Sequence, residues 1–124
     1  MESFDFGPGS VQLFDDGAVA QVLHPDGRRV LLEDSAVHDV LHAWGKGFVI
    51  SDRGAFRFDA PAFTRWRSSG IDLMYRFSDL ELRVGRRFGE QWTETYELRN
   101  TGDTPVELGS VAISTPYRDV YTSS

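Results

Sequence analysis

"IDLMYRFSDLELRVGRRF", residues 71–88, is the stretch that decides the fold. Ile71, Leu73, Tyr75 and Phe77 alternate with Asp72, Met74 and Arg76, and the pattern resumes through Leu80, Leu82 and Val84 against Glu81 and Arg83. Successive side chains of an extended chain point to opposite faces, so this period of two gives each run one apolar and one polar side. A helix would scatter the same residues around its circumference. The reading is two consecutive strands with one face buried, and with Arg86 and Arg87 at a solvated strand end.

The same period extends in both directions. "SVQLF" sets Val11 and Leu13 on one side. "GAVAQVL", "HPDG" and "RRVLLE" follow, with Pro25, Asp26 and Gly27 as turn formers, which predicts a hairpin over residues 18–33. Phe56 and Phe58 share parity in "GAFRF", and "EQWTETYELRN" is rich in β-branched and aromatic residues. In "YELRNTGDTPVELGSVAIS", residues 96–114, Tyr96 and Leu98 share a face. There Asn100, Thr101, Gly102 and Asp103 form a turn tolerant of positive φ, and Val106 and Leu108 point inward, so a second hairpin is expected. Only "DSAVHDVLHAW", residues 34–44, has helical spacing, through Val37, Val40 and Leu41, and being short it is read as a helical turn or an irregular crossover. Seven or eight strands at roughly 8–12-residue spacing predict an all-β antiparallel sandwich forming one domain over residues 1–124.

Composition narrows the function. Apolar residues make up 40% of the 124 and aromatics 13%, enough to bury a single core. With no cysteine, neither a disulfide nor a thiolate metal site is available. A formal net charge of −6 argues against nucleic acid and against an anionic membrane as partners. "MESFDFGPGS" has neither the basic nor the apolar region of a signal peptide, which together with the missing cysteine favours a cytoplasmic location.

"GAVAQVLHPDGRRVLL" resembles the opening hairpin of galactose-mutarotase-like β-sandwich domains. "IDLMYRF" through "ELRVGRRF" to "TETYELRNTGDTPVEL" is similar to their central strands and closing turn, so that the similarity spans most of residues 10–117. Such supersandwiches also precede the catalytic domain in many bacterial glycoside hydrolases. The resemblance implies a non-catalytic, carbohydrate-associated domain, the N-terminal part of a longer protein, whose partners are sugar and a downstream catalytic domain. A mutarotase's histidine and glutamate have no matching motif here, so no catalytic residue is carried over. Two alternatives stay open: an aldose-epimerase-type enzyme, and a structural module pairing, with itself or with a partner, through a sheet edge.

Flat aromatic faces stack on sugar rings, which makes Trp44, Trp66 and Trp92 candidate platforms; the competing reading packs each of them into the core. Trp66 has Arg65 and Arg67 on the opposite side of its strand, one face aromatic and the other cationic. Glu90 and Glu94 would share a face with Trp92 in an unbroken strand. Their Cα atoms would then lie about 13 Å apart. Paired glycosidase carboxylates stand roughly 5–9.5 Å apart, so one strand cannot supply that pair. The competing reading is a solvated face, or a bulge near Gly89 that shifts the register. His38 and His42 have the i, i+4 spacing of helical metal ligands but lack a third, and neither a metal nor a cofactor is expected. His24 reads as a surface turn residue, and Tyr117 and Tyr121 as a docking or frayed tail.

Overall fold

In the computed structural model, which describes residues 1–29 and 45–113, ten strands pair into three antiparallel sheets. The strands are β1 (Glu2–Phe6), β2 (Gly9–Leu13), β3 (Val19–Leu23), β4 (Gly47–Ser51), β5 (Gly54–Arg57), β6 (Phe63–Arg67), β7 (Gly70–Phe77), β8 (Leu80–Phe88), β9 (Trp92–Asn100) and β10 (Leu108–Ile113). The sheet orders are β1-β2-β3, β10-β4-β5 and β6-β7-β8-β9. No helix occurs among the described residues. The fold is an all-β antiparallel sandwich in which residues of all three sheets meet in one core.

Alternation in residues 71–88 does what elementary geometry demands. β7 and β8 pair with Phe77 opposite Leu80, joined by Ser78 and Asp79, and Ser78 takes the left-handed φ of 56°. Register then aligns Tyr75 with Leu82 and Leu73 with Val84, so Ile71, Leu73, Tyr75 and Phe77 enter one core with Leu80, Leu82, Val84 and Phe88. Val11 and Leu13 of β2, Val49 of β4 and Phe58 meet them there. The Phe58 ring stacks on Tyr75 and Phe77 at centroid distances of 5.3 and 5.8 Å. Each fully buried aliphatic or aromatic side chain contributes about 1.5–3 kcal/mol of transfer free energy, which makes this shared core the main adhesive of the fold.

β3 shows how a parity conflict is resolved. Val11 pairs with Val22, but Leu13 pairs with Val19, because the register shifts after Gln12 and leaves Ala20 extra. Such a bulge turns two side chains of opposite parity toward the same core, and Val19 and Val22 are both buried. A second shift, at Gly109 between Leu108 and Ser110, lets β10 pair with β4.

Two expectations need correction. The segment after Asn100 is not a hairpin: β9 pairs with β8 whereas β10 pairs with β4, so residues 101–107 carry the chain from one sheet to the other. None of residues 100–103 has a positive φ; the arch is held by hydrogen bonds instead. Gly102 N donates to Asn100 Oδ1, Asn100 Nδ2 to Thr104 O, and both the amide and the hydroxyl of Thr101 to Asp79 O. The Arg53 guanidinium ties the arch down through Asp79 and Thr104. Val106 packs against the core as expected, but Leu108 is 47% exposed because β10 sits at a sheet edge. The expected hairpin over 18–33 is described as far as Arg29, where the His24–Arg28 turn closes and Leu23 pairs antiparallel with Arg29; its residues 30–33 lie outside the described residues, as do the helical turn or crossover expected over 34–44, with Trp44, His38 and His42, and Tyr117 and Tyr121.

Candidate functional site

The two faces of the four-stranded sheet carry different chemistry, and the register assigns each side chain to one of them. On the inner face, Ile71, Arg86 and Glu94 line up across β7, β8 and β9, with Phe88 opposite Trp92 and Val84 opposite Tyr96. Arg86 is not a solvated strand end: it is 0% exposed. The apolar alternation of β8 continues through its position, so the cation is carried inward. There Nε donates to Glu94 Oε2 at 2.9 Å and Nη2 to the Gly45 carbonyl at 3.2 Å, while Nη1 finds no partner. Gly45 has a φ of 84°, and a Cβ there would overlap the guanidinium.

Glu94 collects three donors. Besides Arg86, the Trp92 indole donates to Oε2 at 3.0 Å and the Tyr96 hydroxyl to Oε1 at 2.7 Å. Burial pushes the Tyr96 phenol well above its ordinary range, with the neighbouring Glu94 carboxylate adding to the effect and Arg86 opposing it. A carboxylate so engaged is a structural acceptor: three of its roughly four lone-pair sites are taken by the protein's own donors, two on Oε2 and one on Oε1. Trp92 also packs against Phe6 and Phe88, at 5.5 and 5.3 Å. Trp66 pairs with Ile71 on the same face, stacks on Phe4 at 6.2 Å and stays 38% exposed at the rim. Glu90 precedes β9 in an exposed bend, and so does not extend the strand face of Trp92 and Glu94. Trp44 lies outside the described residues. Trp92 and Glu94 are thus brought together, while Trp66 and Glu90 stand apart from them.

The outer face of the same sheet is open. It holds a groove of about 790 Å³, within the span of small-molecule sites. Met74 lies at its centre by register: Phe63 of β6 and Arg83 of β8 are its cross-strand partners, and Asp72 and Arg76 are its same-face neighbours along β7. Phe63 is 49% exposed, so a flat aromatic face is available. Arg65 and Arg67 lie on this face opposite Asp72 and Gly70, on the other side of the strand from Trp66. Glu97 and Thr95 border the groove from β9.

Asp72 shows how this face handles a carboxylate. Arg67 Nε donates to Oδ2 at 2.5 Å and Arg87 Nη2 to Oδ1 at 2.6 Å. Burial alone would raise its pKa, but the two guanidinium hydrogen bonds outweigh that and hold the carboxyl below its ordinary value. By contrast, Arg65 and Arg76 make no ion pair with the described residues. Phe63, Met74, Arg76 and Arg83 were missed as candidates by sequence reasoning. The signal was present in the parity of "FTRWRSSGIDLMYRF", but using it required knowing that β6 and β7 pair about Ser68 and Ser69.

Among the described residues, no group of three or more His, Asp or Glu side chains is placed to hold a metal ion. No family model, curated protein or solved structure matches the chain.

Proposed function

We propose that the chain is a non-catalytic carbohydrate-binding β-sandwich whose open four-stranded face forms a wall of a sugar cleft. One observation carries this reading: an exposed aromatic ring, Phe63, beside a groove of oligosaccharide scale lined by planar guanidinium, carboxylate and hydroxyl groups. Sugars present apolar C–H faces and a rim of hydroxyls, and bind where a flat ring meets such groups. Within this reading the chain belongs to a larger supersandwich beside the catalytic domain of a glycoside hydrolase, and contributes binding and support rather than acid–base chemistry. The epimerase alternative draws no support from Glu94, whose oxygens are committed to Arg86, Trp92 and Tyr96.

Isothermal titration of the full chain against a panel of neutral and acidic oligosaccharides tests the proposal. Heat is expected with at least one panel member, and Phe63→Ala should weaken that binding at least tenfold. No heat with any sugar overturns it. So does binding that survives Phe63→Ala but is lost with Trp66→Ala, which would move the site to the other face.

A further inference from the structure

We infer that the ligand of this outer face is an acidic oligosaccharide, one bearing uronate carboxylates; the inference rests on the carbohydrate reading above. It begins with the distribution of charge. Arg65, Arg67, Arg76, Arg83, Arg87 and Arg99 share the outer face, against Asp72, Glu81 and Glu97. Six cations and three anions leave this face at +3, in a chain whose formal total is −6. Twelve of the thirteen basic residues are arginines, and half of those twelve stand on one side of one sheet.

Pairing inside the face does not consume this excess. Asp72 takes Arg67 and Arg87, and Glu81 reaches Arg83 only at 3.5 Å. Arg65 and Arg76 remain without an ion pair among the described residues and are exposed. Both are neighbours of Met74, Arg76 two residues along β7 and Arg65 on the cross-strand diagonal. Cross-strand diagonals span about 7–8 Å, so both arginines stand next to the apolar floor made by Met74 and Phe63, and both line the groove.

That arrangement matches one ligand chemistry. A uronate ring has an apolar face for Phe63, hydroxyls for Glu97 and Thr95, and a planar carboxylate for a guanidinium fork. The protein's own Asp72, bracketed by two guanidinium groups, demonstrates the carboxylate geometry the face accepts. A nucleic acid long enough to use all six arginines would also meet the strongly acidic remainder of the chain, whereas a short oligosaccharide fits within the groove.

The test is titration of the full chain with trigalacturonate and, as a neutral counterpart, galactotriose, at low and at physiological salt. Trigalacturonate should bind at least tenfold more tightly, and its advantage should shrink as salt rises. Arg65→Gln combined with Arg76→Gln should remove most of that advantage while leaving the circular dichroism spectrum unchanged, because both side chains are exposed. Arg57→Gln, an exposed arginine on β5, should have no effect. Equal binding of both trisaccharides overturns the acidic preference and leaves the carbohydrate reading standing. Failure of both, together with the rest of the panel, overturns the two together. Binding of a short oligoglutamate or a single-stranded oligonucleotide as tight as that of trigalacturonate also overturns the inference, since the face would then read charge without reading sugar. Salt-sensitive self-association in light scattering, lost with the same double substitution, would assign the face to a second copy and overturn it as well.

Discussion

Replacing Glu94 with alanine tests whether the inner-face cluster is structural. The substitution would leave the Arg86 guanidinium 0% exposed, with only the Gly45 carbonyl as acceptor and Nη1 already without a partner. Removing one member of a buried ion pair costs about 3–5 kcal/mol, because the remaining charge stays desolvated and uncompensated. Summing the three hydrogen bonds to Glu94 would overstate the loss, since Trp92 and Tyr96 are half-buried and their donors can find water. The expected value is therefore about 3–5 kcal/mol, a large share of the roughly 5–15 kcal/mol that stabilises a domain of this size.

Urea denaturation followed by far-ultraviolet circular dichroism measures it. Tryptophan fluorescence is a poor sole probe here, because the Trp92 indole itself donates to Glu94. The companion variant replaces Arg86 with methionine and Glu94 with leucine, which removes both charges while keeping side-chain volume. Hydrophobic replacement of a whole buried pair is often neutral, so the double variant should recover most of the loss. A Glu94→Ala cost below about 1 kcal/mol would refute the argument, since that is the range of an exposed pair. A double variant no more stable than the single one would refute it too, by showing that the loss came from something other than the orphaned cation.

Three further outcomes follow from the geometry. Burial pushes the Tyr75 phenol up to about 12, against Arg86 and with a contribution from Asp16. Folded protein then holds that proton while unfolded chain releases it near pH 10, so stability is unaffected below about pH 10 and falls by about 2–3 kcal/mol toward pH 12. Tyr75→Phe should flatten part of that alkaline decline in denaturation series, with Tyr96 responsible for a remainder of the same sign. Ser78→Gly should stabilise by about 0.5–1 kcal/mol, because a left-handed φ strains a residue with a Cβ more than the added freedom of glycine costs; a loss of stability would contradict this. Arg53→Ala should cost about 1 kcal/mol and speed amide exchange at Thr101, whose acceptor Asp79 it helps to position; unchanged exchange would show that the arch stands without it.

Period-two patterning was readable where one face is dry and the other wet. Residues 71–88 satisfy that condition, and their apolar set is the core. Legibility failed where one side chain had to play against its type. Arg86 occupies an inward position in β8, and only its partner across the strand, Glu94, makes that tolerable. Nothing local in "LRVGRRF" announces that partner eight residues away. The arch at residues 101–107 failed for a related reason: Asn, Gly, Asp and Pro mark a change of direction, but whether the chain returns to its own sheet depends on whether β10 adds to the free edge of β9 or to that of β4, a long-range matter. The bulge at Ala20 was invisible for the same reason, since it is defined only by the pairing of β3 with β2.

Net charge is a sum, and a sum has no direction. The −6 of the whole chain weighs against polyanionic partners only if the charges are evenly spread, and here the strand period separates them. Arg65 and Arg67 of β6, Arg76 of β7, and Arg83 and Arg87 of β8 stand at positions of one parity, so they fall on one side once those strands pair in register. The same alternation that drives Ile71, Leu73, Tyr75 and Phe77 into the core therefore assembles the cationic face behind them. The two faces are physically coupled: slipping β7 by one residue would expose the core set and bury Asp72, Met74 and Arg76. Buried hydrophobic area thus holds the outer-face constellation in place without Arg65 or Arg76 having to stabilise the fold. Arg65 and Arg76, exposed and without an ion pair among the described residues, are consequently free to serve a ligand, and their replacement separates binding from folding in a way that replacing Arg86 cannot.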